Sequence, residues 1–408
     1  MMNGNGNGNG NGNGNGNVNG SGNVKVVVVG GGYGGVTAAN RLARRTGVSV
    51  TVINPRPEFV ERIRLHQRVT GSDDATEAYD RVMGGNVRLV VDTATLIVAA
   101  ERQVTLASGD TVPYDYLVYA VGSGAADPGV PGATEFAHWV SDLEGAERLR
   151  SALDAAPASA PVTVVGAGPT GLETAAELAE TGRKVTLVCG EVLGPSLHAR
   201  VRRPVARRLA RLGVTVLEGR RTQVTEVTQD AVRLEDGRVL PSAVTIWTAG
   251  FRVPDLAAHS GLRTDAAGRL VTDTTLTSVD DERIVAAGDA GVMPDHPFRM
   301  SCQAAVQLGP AAADTVLRRI AGKRPAPVRM FFAGQCLSLG RKEGVTQFSY
   351  PNDKVNALSI SRRTGAVVKE IACVFTLNKL VSGARKAGSR TSHNGGVDRE
   401  EAVRPRGV

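Results

Sequence analysis

The chain has 408 residues, 42% of them hydrophobic, and a formal charge of +8 from 48 basic against 40 acidic side chains, enough for two or three domains with their own cores. Aromatics make up only 4% and no basic stretch is interleaved with Phe or Tyr, which argues against a nucleic-acid surface built on base stacking. A run of about 18 apolar residues is absent too, which excludes an integral membrane span. Cys189, Cys302, Cys336 and Cys373 are far apart and form no CxxC, so neither a local redox disulfide nor a metal site is expected; the composition reads as reduced thiols in a cytoplasmic enzyme.

In chain order, Asn3 to Asn17 alternate Asn and Gly, with maximal backbone freedom and nothing apolar to bury, so residues 1–23 are expected to form a disordered tail. Order is expected from Val24. The β-branched run Val24 to Val29 is too short for a helix and apolar on both faces, as a central parallel strand is. Gly30 to Gly35 follow, with Tyr33 and Gly34 inside the run, and then a helix-compatible stretch from Val36 to Ala43 and a second strand from Val48 to Ile53. Strand, glycine turn, helix and strand within about thirty residues make a nucleotide-binding unit. Strands at Val104 to Leu106, Thr111 to Val112 and Leu117 to Val121 follow, turning at Ser108-Gly109-Asp110.

The pattern recurs. Val162 to Val165 lead into Gly166-Ala167-Gly168-Pro169-Thr170-Gly171, an Ala-rich helix from Leu172 to Glu180, and Val185 to Val188. Val232 to Leu234, the turn Glu235-Asp236-Gly237, and Val244 to Gly250 repeat the strands that follow the first unit, so the halves read as duplicated modules. The apolar strand Ile284 to Ala287 ending in Gly288-Asp289 suggests a return to the first domain. A third segment from about Arg324 holds strand-like pieces at Val345 to Ser349, Ala357 to Ile360 and Gly365 to Val368, then a helix from Val368 to Val381; residues 389–408 read as a disordered tail. The expected fold is α/β: two Rossmann-like domains, one (151–250) inserted in the other (24–150 and 251–324), plus a C-terminal α+β segment (325–388).

In each G-x-G-x-x-G, at Gly30, Gly32, Gly35 and at Gly166, Gly168, Gly171, the first glycine makes the turn, the second lets the backbone approach a pyrophosphate, and the third lets helix and strand pack closely. Helix N-terminal amides then face the phosphate charge. One such motif is a weak signal; two, each between a valine-rich strand and a helix, are a strong one. At the second-strand end, where an acidic residue usually takes a ribose hydroxyl, the first unit has Asn54, which can hydrogen-bond a hydroxyl or cap the turn before Pro55. The second unit has Cys189, with Glu191 two residues on. Glu191 favours NADH, whereas Arg200, Arg202 and Arg203 downstream suit a 2′-phosphate.

These motifs resemble the two-dinucleotide-binding flavoprotein reductases over about Val24 to Gly340, and within them the type II NADH dehydrogenases and apoptosis-inducing-factor-like quinone reductases. The resemblance implies FAD on the first fingerprint and NADH or NADPH on the second. It also implies linking motifs at Gly122 and Gly250 beside the cofactors, and a late FAD motif at Gly288-Asp289. Glu173 matches a glutamate beside the nicotinamide; otherwise it is a first-turn glutamate favoured by the helix dipole. Cys302-Gln303-Ala304-Ala305-Val306-Gln307 is similar to the family's Ala-Gln-x-Ala-x-Gln at the quinone site, with Cys302 departing from it. Gln303 and Gln307 share a helix face and either bond quinone carbonyls or stand solvated.

The resemblance implies that the loop and helix around Glu61 to Gln67 approach the flavin, where Arg62 or Arg64 can pair with FAD phosphate and His66 suits proton transfer; each is otherwise a surface charge. Val368, Ile371, Ala372, Phe375 and Leu380 form an apolar stripe, followed by the basic Lys379, Arg385, Lys386 and Arg390, where the family docks on membranes. Peripheral contact with the cytoplasmic membrane face, packing on the body and a homodimer interface all fit that stripe. The expected activity is hydride transfer from NAD(P)H to FAD and electron delivery to a quinone-like acceptor. A ferredoxin-like protein acceptor and a non-catalytic redox sensor are the alternatives.

Overall fold

The computed structural model describes residues 23–295 and 298–388. The Asn/Gly stretch and the segment from 389 onward, with Arg390, lie outside them.

Strand β1 (Val24–Val29) leads through the glycine turn into helix α1 (Tyr33–Leu42) and strand β2 (Val48–Asn54). Strands β3 (Val87–Val91) and β4 (Tyr116–Tyr119) extend the sheet. The second unit follows as β5 (Ala137–Trp139), β6 (Pro161–Val165), helix α2 (Pro169–Glu180), β7 (Lys184–Val188), β8 (Thr215–Leu217) and β9 (Val244–Trp247). Strand β10 (Ile284–Ala286) then pairs with β4, so the chain does return to its first sheet after the second unit.

The first sheet runs β10-β4-β1-β2-β3 and the second β5-β9-β6-β7-β8, every neighbour parallel. This is the doubly wound arrangement expected from the repeated pattern. In both sheets the valine-rich first strand sits centrally, and Val26 to Val29 and Val162 to Val165 are buried accordingly. The two connecting stretches also pair with each other, Gly124–Ala125 against Phe251–Arg252, which fixes one unit against the other beside the linking glycines Gly122 and Gly250.

The C-terminal part begins with helix α3 (Cys302–Ile320), which packs on α1, and continues through the antiparallel strands β11 (Gly334–Ser338), β12 (Gly344–Ser349) and β13 (Val355–Ser361) into helix α4 (Arg362–Gly388). Residues 365–368, expected as a strand, belong to α4, which is longer at both ends than the expected 368–381. Four short and β-branched residues carry no decisive periodicity. Packing decides: the helix start lies so close to β12 that a Cβ on Gly365 would fall 2.3 Å from the Gly344 carbonyl oxygen.

The expected apolar stripe of α4 is divided in three. Leu380 is fully buried, Val368 and Ala372 line the internal cavity, Ile371 faces outward together with Val367 and Val374, and Phe375 is exposed at the cavity's edge. No helix among the described residues is long and apolar enough to cross a membrane.

Candidate functional site

A cavity of about 1380 Å³ runs from the first glycine turn, past the start of α2, to the strands and last helix of the C-terminal part. The two glycine turns are built by the same device. Gly30 and Gly166 have φ of +107° and +106°, a region that favours glycine. A Cβ on Gly35 or on Gly171 would fall 1.8 Å from the carbonyl oxygen of Gly30 or Gly166. These glycines let helix and strand touch.

The middle glycines are different. Gly32 and Gly168 have φ of −79° and −70°, open to any residue, and a Cβ on either would meet nothing within 4 Å. Neither conformation nor packing requires glycine there, so the bare backbone is left for something outside the chain. Both helices also start without a side-chain cap, leaving N–H groups and the positive dipole end open to an anion. Pro169 opens α2, where its missing N–H costs nothing, and with Thr170 it lines the cavity. Both turns therefore fit a dinucleotide's pyrophosphate.

At the first turn, Tyr79 donates to the Gly31 carbonyl at 2.9 Å, and Asn54 Oδ1 accepts from Gly31 N at 3.0 Å while its Nδ2 donates to the Arg56 carbonyl at 2.9 Å. Asn54 lines the cavity, but its amide already braces the turn. Tyr33 is buried with its hydroxyl lacking a partner, its ring edge-on to Phe59 at 5.1 Å. An orphaned buried hydroxyl on a cavity wall is an incomplete site that a ligand can complete.

The late motif joins this end. A Cβ on Gly34 would come 3.3 Å from Gly288 N. Asp289 accepts from Ser123 Oγ at 2.8 Å and from Ser301 N at 3.1 Å, and Arg62 reaches Ser123 Oγ at 3.3 Å and the Ser141 carbonyl at 3.1 Å. Arg62, Gly122, Gly288 and Asp289, separate in sequence, thus line one wall. Arg64 turns away into an acidic cluster of Glu61, Asp73 and Glu370.

Where the two units meet, Glu173 is buried on the cavity wall. Its Oε1 lies 3.0 Å from Lys369 Nζ and accepts from Ser338 N at 2.9 Å, while its Oε2 is 3.8 Å from His66 Nδ1. His66 Nε2 in turn meets Ser338 Oγ at 3.1 Å. Burial pushes the Glu173 carboxyl up, but Lys369, His66 and the Ser338 N–H outweigh it and hold it below the ordinary range. Burial pushes His66 down to about 4, so it is a neutral ring at physiological pH. Lys369 and Ser338 carry no sequence signal; they lie in a helix and strand without a motif and reach Glu173 only through the fold.

Gln303 lines the cavity and Gln307 does not. Their amides are taken by the chain itself: Gln307 by Phe331, Gln303 by Ala333 and Gly334. Cys302, Cys336 and Cys373 converge on the cavity despite their spacing in sequence. All are free thiols, and burial raises the Cys302 and Cys373 pKa values, the latter to about 11, so both stay protonated and weakly nucleophilic. Glu191 is exposed beyond the end of β7 and outside the cavity lining. Arg202 is committed to the Gly194 and Leu197 carbonyls. Among the described residues no cluster suited to a metal occurs.

A family model described as pyridine nucleotide-disulphide oxidoreductase matches residues 24–309. An NADH dehydrogenase-like protein of Mycobacterium tuberculosis is 30% identical over 344 residues, covering 77% of this chain and 85% of that protein. A type II NADH:quinone oxidoreductase, Ndh, of the same organism is 28% identical over 369 residues, 79% of each. Among solved structures, NDH2 from Plasmodium falciparum in complex with NADH superimposes with a TM-score of 0.74 at 16% identity, over 90% of this chain and 97% of that one. The sulfide:quinone oxidoreductase of Aquifex aeolicus does so with a TM-score of 0.74 at 20% identity, over 89% and 92%. At these identities the structures speak for the fold.

Proposed function

Because this chain belongs to the pyridine nucleotide-disulphide oxidoreductase family, we propose that it holds FAD on the first glycine turn and a nicotinamide dinucleotide on the second, and passes electrons to a quinone-like acceptor. In coarser terms it is an NAD(P)H-dependent flavoprotein oxidoreductase of the type II NADH dehydrogenase kind. The observation that carries the proposal is the pair of bare middle glycines, Gly32 and Gly168, each at an uncapped helix start, on units that share one cavity. Residues 24–150 with 251–324 form the FAD domain in this reading, 151–250 the nicotinamide domain and 325–388 the acceptor side.

Bound flavin supplies hydride acceptance from the nicotinamide and two-electron donation to the acceptor. The protein's part is to bind, align and set charge. Gly30 to Gly35 and Asp289 would hold the FAD, with Arg62 and Ser123 fixing the Asp289 carboxylate. Gly166, Gly168, Pro169, Thr170 and Gly171 would hold the nicotinamide dinucleotide. Glu173 borders the nicotinamide as an ionised group, and Lys369 Nζ, a buried cation on the cavity wall, is a donor for an acceptor oxygen that gains charge.

NADH is the donor favoured here, since Glu191 is exposed past the end of β7, where its carboxylate can take a ribose hydroxyl, while Arg202, one candidate for a 2′-phosphate, is occupied by carbonyls. The outward row Val367, Ile371, Val374 and Phe375 supports peripheral contact with a bilayer, where lipid-soluble quinones reside.

The test is anaerobic mixing of FAD-loaded protein with NADH or NADPH while flavin absorbance is followed, then addition of a soluble quinone. Bleaching and quinone-driven recovery are expected. Bleaching without recovery moves the acceptor to a protein carrier, and absence of bleaching with either nucleotide overturns hydride transfer in favour of a redox sensor.

A further inference from the structure

Residues 331–333 run extended ahead of β11, and one backbone edge meets the neighbouring strand region: Ser349 N donates to the Ala333 carbonyl at 3.1 Å and Phe332 N to the Pro351 carbonyl at 3.4 Å. Among the described residues no strand lies along the other edge. Left bare, its polar groups would cost free energy wherever water is excluded.

Helix α3 supplies the missing edge with side chains. Gln307 Nε2 donates to the Phe331 carbonyl at 2.9 Å and its Oε1 accepts from Phe331 N at 3.1 Å. Four residues earlier, Gln303, with its amide oriented by its neighbours, donates to the Gly334 carbonyl at 3.1 Å and accepts from Ala333 N at 3.0 Å. Ahead of the helix, Arg299 donates to the same Gly334 carbonyl at 3.3 Å and to Gln335 Oε1 at 2.9 Å. From Gln307 to Gln303 four helical residues rise about 6 Å, matched by the about 6.6 Å that two residues of extended chain advance from Phe331 to Ala333; at Ala333 the chain turns, its N–H facing Gln303 and its carbonyl Ser349. A primary amide presents one donor and one acceptor side by side, as a peptide group does. The two glutamines therefore act as a surrogate strand.

The segment held this way continues into the acceptor side of the cavity, where Ala333 to Leu337 form the lining. It is also tied to the nicotinamide unit, since Gln335 Nε2 donates to the Ser196 carbonyl at 3.0 Å and Ser338 N to Glu173 at 2.9 Å.

We propose that Gln303 and Gln307 are positioning residues for the acceptor step, which hold the 331–334 backbone so that residues 333–337 keep the shape of the acceptor wall, and that they do not bind the acceptor's carbonyls. The proposal rests on the reading of this cavity as a quinone site. It explains why Gln307 stands outside the cavity lining, which a direct ligand of the acceptor would not.

The test uses the FAD-loaded enzyme and its Gln307→Ala and Gln307→Glu variants. Amide hydrogen exchange is read first, with no acceptor present. In Gln307→Ala, Phe331 is expected to exchange about tenfold faster, the effect of losing a hydrogen bond of roughly 1.4 kcal/mol, with Ala333 following, whereas in Gln307→Glu, whose carboxylate still accepts from Phe331 N, exchange at Phe331 is expected to rise less. Steady-state kinetics with NADH and two naphthoquinones, one bare and one with a long prenyl tail, is read second. The KM for the tailed quinone is expected to rise about tenfold, that for the bare one less, and the NADH KM by less than twofold.

Wild-type exchange rates at Phe331 and Ala333 in Gln307→Ala would overturn the latch. Loosened exchange with an unmoved quinone KM, or an equal rise for both quinones, would overturn the role in shaping the wall. A wild-type enzyme that bleaches with NADH but reduces neither quinone sinks the acceptor reading and this role with it, whereas hydrogen exchange alone still decides whether the latch exists.

Discussion

Lys369 and Glu173 face each other at 3.0 Å inside the protein, one from the last helix and the other from the second turn of α2, past the first turn expected from sequence because the helix already starts at Pro169. Each is nine-tenths buried or more. Burial alone would push the lysine pKa down, yet Glu173 raises it above the ordinary value, while Lys369 helps hold the carboxyl below its own. The pair fastens the C-terminal helix to the nicotinamide unit as two mutually dependent charges. Lys369→Met alone is expected to destabilise by about 3–5 kcal/mol, because it strands a buried carboxylate. The double variant with Glu173→Gln is expected to recover much of the loss; equal losses in single and double variants in denaturant unfolding would refute the coupling.

His66 sets a pH dependence of definite sign. Its folded pKa is lowered from 6.5 to about 4, mainly by burial, with Glu173 opposing. Between these values the unfolded chain takes up a proton that the folded one does not. Stability is therefore intact above pH 6.5, falls as pH drops toward 4, and has lost roughly 3 kcal/mol from this group once below it. Denaturant unfolding across that window should show a steeper acid loss for wild type than for His66→Gln; identical slopes would count against it.

Gly32 and Gly35 should respond oppositely to alanine. Gly32→Ala meets open space at an unrestricted φ, so the apo-protein should melt within about 1 kcal/mol of wild type but purify without flavin. Gly35→Ala drives a Cβ into the Gly30 carbonyl and should destabilise the fold itself by about 1–3 kcal/mol. A Gly32→Ala protein that keeps its flavin colour would remove the first turn from FAD binding.

Gly168→Ala makes the same substitution in the second unit. Flavin content should stay at wild-type level, and the rate of bleaching by NADH at sub-saturating concentration should fall at least about tenfold, the worth of about 1.4 kcal/mol in binding. Lost flavin with preserved bleaching per remaining flavin would exchange the assignments of the two turns.

The two strand, glycine-turn and helix units were legible because they are local: each lies within one short stretch, and its third glycine answers to the carbonyl of its first. The return of Ile284 to Ala286 to the first sheet was legible for a similar reason, since a buried apolar strand ending in Gly288-Asp289 has few places to go. The division of α4 was not. Ile371 and Phe375 stay exposed while Leu380 is buried, because neighbours from α1, the short helix at residues 79–82 and β12, distant in sequence, choose which face is covered.

By itself, the sequence determined what short-range sterics and periodicity determine: two nucleotide-binding units, where their backbones are bare, and a helix carrying Gln303 and Gln307 on one face. Only the tertiary structure decided which groups meet. It put Lys369 and Ser338 on Glu173, gathered three dispersed cysteines along one cavity, and turned two glutamine amides toward the backbone of 331–334. The physical reason is that a buried charge or polar group must find its partner across whatever chain separation the packing imposes, and pattern along the chain carries no record of that distance.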